Sequence, residues 1–312
     1  MTRFALAFLL LSQAPAAAAP APSNHLLTDK SAVYEIRIAY PQTGEAKIDA
    51  DLLAAVQKIA AGFRKVATAA HDAAEPPYTL DVTYRVARND TQMFAVVFED
   101  EWDLRGAHPN LEIVTANYVR PDGWRVYLPE LFDGARGLAR ISALATADLD
   151  RRLASEDADK DWIARGADAH WDNFAAFVLL PDTLEIEFPP YAVASFADGP
   201  QKAQIALAQL RDVRRADPRA PVASFDCARA VTPDEKAICA DVTLARLDRA
   251  VAETWSSQLR NENDPPRKTA LKTQQVAWLN LRGTRCHGEQ AARIACLTAL
   301  YSARLAALEA AE

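Results

Sequence analysis

The densest chemistry in this sequence is the run Glu99-Asp100-Glu101-Trp102-Asp103, four carboxylates around one indole. Carboxylates this close suit a cationic partner, and tryptophan is a favoured aromatic anchor at protein interfaces. The plainer alternative is a solvated hairpin end whose Trp102 packs inward. A second candidate is Glu185 and Glu187 followed by Pro189-Pro190-Tyr191. Prolines there would fix the loop in advance and reduce the entropy lost on docking, unless the segment is only a structural corner with Tyr191 buried. Asp157-Ala158-Asp159-Lys160-Asp161 imitates the start of a calcium loop. The glycine and distal glutamate of an EF-hand do not follow, and Asp159 suits a helix N-cap. His25, His71, His108, His170 and His287 are scattered, with neither an HExxH string nor a GxSxG elbow. A wall-cutting glycosidase would need two carboxyls about 5–9.5 Å apart. Glu185/Glu187 and Asp100/Asp103 are the pairs the sequence offers. No catalytic residue, metal or cofactor is assigned.

Four cysteines, Cys227, Cys239, Cys286 and Cys296, lie in the last 90 residues. An even count in an exported chain points to two disulfides. The intervals of 12, 47 and 10 residues contain no zinc knuckle. Export is expected from the amino terminus: Arg3, then the short apolar run Phe4–Leu11, then a small-residue site that favours cleavage after Ala18. That run is too short to span a bilayer, no later stretch approaches about 20 apolar residues, and no cysteine stands ready for lipid attachment. The expected product is periplasmic or secreted and soluble, with no membrane anchor.

The whole chain of 312 residues carries 35 basic and 42 acidic side chains, a net charge of −7. That argues against a nucleic-acid partner. With only 10 glycines and no phosphate-cradling GxGxxG or GxxxxGK string, a nucleotide enzyme is also disfavoured. The charge is uneven. From Val222 onward there are 12 basic and 11 acidic residues, so residues 20–221 hold 22 and 31. Between these regions, Asp217-Pro218-Arg219-Ala220-Pro221 reads as a linker, with the boundary at 216–223.

Residues 30–215 read as an α+β domain, an antiparallel sheet with helices on one side. Val33–Ile38 alternates as a strand, and Ile48–Ala70 carries a helical stripe of Leu52, Val56, Ile59 (or Ala60), Phe63 and Val66. Tyr78–Ala87, Met93–Trp102 and Leu111–Arg120 read as strands, with a Pro121-Asp122-Gly123 hairpin turn before Trp124–Leu128. Gly137–Leu153 and Asp159–Phe177 read as helices, Thr183–Phe188 as a closing strand, and Gln204–Leu210 as a last apolar segment. Residues 224–310 read as a small disulfide-linked, all-α bundle. A capping box at Thr232–Glu235 opens a short helix, and three amphipathic helices follow, up and down. Trp255 and Trp278 fall on core stripes. The topology brings the cysteines toward one end, and three pairings remain open.

The tail resembles the LprI-like lysozyme-inhibitor family. The resemblance rests on Ser224-Phe225-Asp226-Cys227, Thr232–Asp241 with Cys239, Leu244-Ala245-x-Leu247-Asp248, Gln274-x-x-x-Trp278-Leu279 with Arg282 and Cys286, and Cys296-Leu297 with Tyr301 and Arg304. It covers about Phe225 to Leu308. The first domain is similar to the extracytoplasmic domain of RsiV-type anti-sigma factors, which also precedes the catalytic domain of some peptidoglycan deacetylases. Trp124–Phe132, Asn173-Phe174, Leu184–Ala194 and Phe196–Pro200 carry that likeness. It implies a lysozyme-binding surface. Signalling is not implied, because no membrane anchor or sigma-binding segment precedes the module here.

Together the resemblances imply a non-enzymatic periplasmic binding protein whose partner is a basic, lysozyme-type muramidase, which it inhibits. Peptidoglycan is a further potential ligand. The expected contact residues are Glu99, Asp100, Glu101, Trp102, Asp103, Glu185, Glu187 and Tyr191. The rival readings are a peptidoglycan-acting hydrolase or wall-accessory module, and a purely structural envelope protein.

Overall fold

The computed structural model describes residues 17–70, 76–153 and 160–310. The apolar run at Phe4–Leu11 and most of the DxDxD segment lie outside those residues. The chain divides into two compact units, one ending at Ala216 and the other starting at Asp217.

The first unit is α+β. It contains β1 (Ser23–Lys30), β2 (Tyr34–Gln42), α1 (Ala46–Ala70), β3 (Tyr78–Asn89), β4 (Met93–Asp103), β5 (Asn110–Val119) and β6 (Trp124–Arg125). These strands form one sheet in chain order. It is antiparallel except where β2 pairs β3 in parallel, because α1 carries the chain back across the sheet between them. The α1 stripe is Ile48, Leu52, Val56, Ala60, Phe63 and Ala67, which pack on Ile36, Ile38, Leu80, Val82, Phe94, Val96 and Tyr118. Ala60 takes the inward place rather than Ile59, and Val66 is left exposed. Strand β1 escapes the sequence pattern because no side chain in it is fully buried; as an edge strand it pairs with β2, and Arg64 of α1 holds its Asp29.

The chain continues through α2 (Leu128–Leu131), α3 (Gly134–Arg152) and α4 (Lys160–Gly166), then a 3-10 turn at Trp171–Phe174. A second, antiparallel sheet follows, made of β7 (Phe177–Leu179), β8 (Thr183–Phe188) and β9 (Gln201–Ala206). The helix expected over 159–177 therefore stops at Gly166. There the backbone passes so close to the next loop that a Cβ would sit 1.8 Å from the Ala192 carbonyl oxygen. Helix α3 and this sheet enclose a second core around Ile141, Phe174, Leu184, Ile186 and Leu210. The sheets are joined by side chains. Asn117 Nδ2 donates to the Phe177 carbonyl, and the amides of Phe177 and Leu179 donate to Thr115 and Asn117. These bonds satisfy the free edge of β7.

The second unit is all-α: α5 (Pro233–Ala240), α6 (Val242–Asn261), α7 (Pro265–Arg285) and α8 (Gln290–Glu309). Thr232 and Glu235 close the expected capping box, and Asp241 and Asp264 cap α6 and α7. Asp248 meets Tyr301 and Gln258 meets Leu308, so α6 and α8 run in one direction. Trp255 bonds to Leu271 while Arg282 reaches Tyr301, so α7 runs the other way. Disulfides join Cys227 to Cys239 and Cys286 to Cys296. Contrary to the sequence expectation, α8 is long and apolar enough by composition to cross a membrane. In the fold its Leu297, Tyr301 and Leu308 enter the core, while Arg293 pairs with Asp234 and Arg304 bonds to Gln275.

Candidate functional site

Strand alternation splits the acidic run. Glu99 and Glu101 are exposed on one face of β4. Asp103 is bound by Arg105 through both backbone and side chain, at 2.6 and 3.1 Å. Asp100 and Trp102 point to the opposite face, under α1, where they line a groove of about 600 Å³. Asp100 is only 3% exposed, with Oδ1 unpartnered, and Glu112 lies directly across from it on β5. Burial, reinforced by Glu112, pushes the Asp100 carboxyl up to about 7. Of the acidic run named from sequence as a partner-contact candidate, Glu99 and Glu101 are the carboxylates that stand exposed.

Glu185 and Glu187 are buried on the face of β8 opposite Leu184, Ile186 and Phe188. Arg85 pairs with both, Lys202 lies 3.3 and 3.2 Å from them, and Gln204 donates to Glu185. Their charge is neutralised inside the fold, which is where this placement departs from a docking surface. The sequence shows the alternation but not that Arg85, a hundred residues away, closes over that face.

Tyr191 is different. It is 52% exposed, and its φ of +69° is a left-handed conformation that an aromatic residue rarely adopts. Holding it costs about 1–3 kcal/mol, and such strain concentrates at functional positions. The surroundings fix it. Trp162 Nε1 donates to the Tyr191 carbonyl at 2.8 Å, and the His108 ring lies 3.0 Å from the Tyr191 hydroxyl. His108 stacks on Phe196 with 3.8 Å between centroids, and the Trp162 ring lies nearly parallel to that of Tyr191. Four rings from three separate segments form one aromatic platform. Sequence reading found Tyr191 through its prolines but missed His108, Trp162 and Phe196, because only the tertiary fold brings them together.

In the second unit the polar groups serve the scaffold. Asp248 accepts from the Ser224 amide and the Tyr301 hydroxyl, both at 2.7 Å, and Arg282 donates to that hydroxyl. Burial and the Asp248 charge push the Tyr301 phenol pKa up. Trp278 stands edge-on to Tyr301 and Trp255 packs against the same core. Helix α7 buries little else, leaving Val276, Leu279 and Leu281 exposed. Among the described residues, no cluster of three or more metal-ligating side chains occurs.

Residues 227–308, the span braced by both disulfides, match the family model described as "Lysozyme inhibitor LprI". The chain carries an LprI domain. Upstream of the LprI domain, residues 130–208 match "Protein of unknown function (DUF3298)", a span that includes Tyr191 and the second sheet. The chain is 24% identical over 191 residues to the peptidoglycan-N-acetylmuramic acid deacetylase PdaC of Bacillus subtilis (strain 168), which covers 60% of this chain and 40% of that protein. It thus spans less than half the length of this curated relative. A DUF3298-family crystal structure from Pseudomonas aeruginosa PAO1 superposes with a TM-score of 0.48 at 15% identity, covering 65% of this chain and 95% of that one. Another, from Bacteroides fragilis NCTC 9343, gives 0.47 at 14% identity, covering 64% and 96%. The match over residues 227–308 supports a lysozyme-inhibitor-like binding module there.

Proposed function

We propose that this protein is an exported inhibitor that docks onto a basic, lysozyme-type muramidase and occludes its sugar cleft. The observation that carries this reading is the lysozyme-inhibitor match over the disulfide-braced second unit. Two disulfides suit an oxidising compartment outside the cytoplasm. The first unit supplies the electrostatics: residues 20–221 hold 22 basic and 31 acidic residues, an excess that steers a cationic partner inward. The strained Tyr191 platform, with Glu99 and Glu101 exposed on the same unit, is its docking point. No bond is broken by the protein itself.

A second reading, a wall-glycan accessory module, draws on the partial likeness to PdaC, whose name records a peptidoglycan substrate. Calorimetric titration of the full mature chain into hen-type lysozyme, and separately into soluble peptidoglycan fragments, distinguishes the two. The inhibitor reading expects saturable lysozyme binding near one-to-one that weakens with salt. Binding to glycan fragments with none to lysozyme would overturn it.

A further inference from the structure

The groove beneath α1 has a chemistry that the platform lacks. Its walls are apolar, where Phe63, Val66 and Leu80 meet the Trp102 ring, and its volume of about 600 Å³ falls in the range of small-ligand sites. Asp100 lies in this groove almost wholly buried, and no donor reaches its Oδ1. Buried carboxylates are ordinarily hydrogen-bonded and paired with a cation. The groove's own cations do not meet that need. Arg125 is held by Asp51 at 2.9 Å and lies over the Tyr127 ring, and the charge that acts on the Asp100 carboxyl is the repulsive one of Glu112. Glu112 faces Asp100 across the β4–β5 register, so an anionic ligand would meet two carboxylates. A neutral apolar ligand would leave Oδ1 without a donor. A cation with an apolar stem satisfies both the carboxylate and the aromatic wall.

We propose that this groove binds a guanidinium or ammonium group on an apolar stem, with the charged head on Asp100 and the stem against Trp102 and Phe63. A free amphiphilic amine and a basic side chain of a partner protein share that chemistry. The charged or titratable groups facing Asp100 are Glu112 from β5, Lys58 from α1, and Arg125 and Tyr127 from β6 and the segment after it. Because the Asp100 carboxyl sits near 7, a bound cation displaces a proton, and affinity rises with pH through that range.

Butylguanidinium and its neutral isostere butylurea, titrated calorimetrically into the full chain in buffers of different ionisation heat, test the proposal. The expected result is one saturable site for butylguanidinium with proton release at pH 7, and at least tenfold weaker binding of butylurea. D100N should weaken the cation at least tenfold, while E35Q, an exposed carboxylate on β2 outside the groove, leaves it unchanged. Equal affinity for the two probes, no saturable cation binding, or full affinity in D100N would overturn it. The wild-type pH dependence reads the same carboxylate should D100N fail to fold; affinity that does not rise through pH 7 would also overturn the site. Displacement of bound butylguanidinium by hen-type lysozyme would assign the groove to a partner's basic side chain. Undisturbed probe would assign it to a small amine. Both support the site, and neither depends on whether muramidase activity is inhibited.

Discussion

Two side chains in the first unit are held in arrangements that folding alone does not favour. Tyr191 keeps a left-handed backbone on the surface, and in the proposed function its ring is what the partner meets. Tyr191→Ala keeps the left-handed backbone and loses the ring contacts with His108, Trp162 and Phe196, so it is expected to lower the melting temperature slightly while lysozyme affinity falls by tenfold or more, read by calorimetry beside thermal unfolding. Asp100 makes the opposite case, a buried carboxyl whose pKa is raised to about 7. In the unfolded chain it ionises near 4, so between about pH 4 and 7 the folded state holds a proton that the unfolded state has released. Stability therefore falls as pH rises through that window, and the loss is complete above 7. D100N removes this slope and is expected to exceed wild type by about 1–3 kcal/mol at pH 8, with little difference at pH 4. Urea unfolding at the two pH values checks it; an equal margin at both would contradict the assignment.

At the scale of elements, the junction of α4 with the Pro189–Val193 loop positions the platform. Gly166 lets the two backbones touch, and a methyl group there would meet the Ala192 carbonyl and the Val193 side chain. Gly166→Ala is expected to cost at least about 2 kcal/mol and to weaken partner binding along with it, because the loop carrying Tyr191 must shift. The same contact explains why the helix written into residues 159–177 ends early: periodicity reports which side chains are apolar, not where a backbone approaches another. Strands β2 to β5 and helices α1, α3, α6 and α8 were legible because each buries side chains at regular positions, α7 was bounded instead by its Asp264 cap and the prolines that follow, and β1 was missed because none of its side chains is fully buried. The burial of Glu185 and Glu187 escapes the sequence for a related reason. Their alternation is plain in the sequence, but the cover provided by Arg85 and Lys202 is a long-range event. In the bundle, each disulfide closes a loop of 10 or 12 residues. Serine at Cys286 and Cys296 together is expected to lower stability by about 2–4 kcal/mol in denaturant melts, with the helices retained.

Charge operates at the scale of the whole molecule. The chain is net −7, and all of that excess and more lies before Val222. In the proposed function a basic partner is drawn to the molecule before any specific contact forms, so salt is expected to act mainly on the association rate. Raising ionic strength from about 0.02 to 0.2 M shortens the Debye length from roughly 20 to 7 Å and is expected to slow association with lysozyme by tenfold or more, leaving dissociation nearly unchanged. Stopped-flow mixing would show it. This asymmetry was readable from residue counts alone, whereas the platform and the groove required the fold. The central claim is that the protein acts on the muramidase and not on the wall. Its most direct test is muramidase activity on intact cell walls against increasing amounts of the mature chain. The account predicts loss of activity that ends near one equivalent at low salt, with no sugar fragments released by the chain alone. Undiminished muramidase activity at excess protein, or fragment release without muramidase, would contradict it.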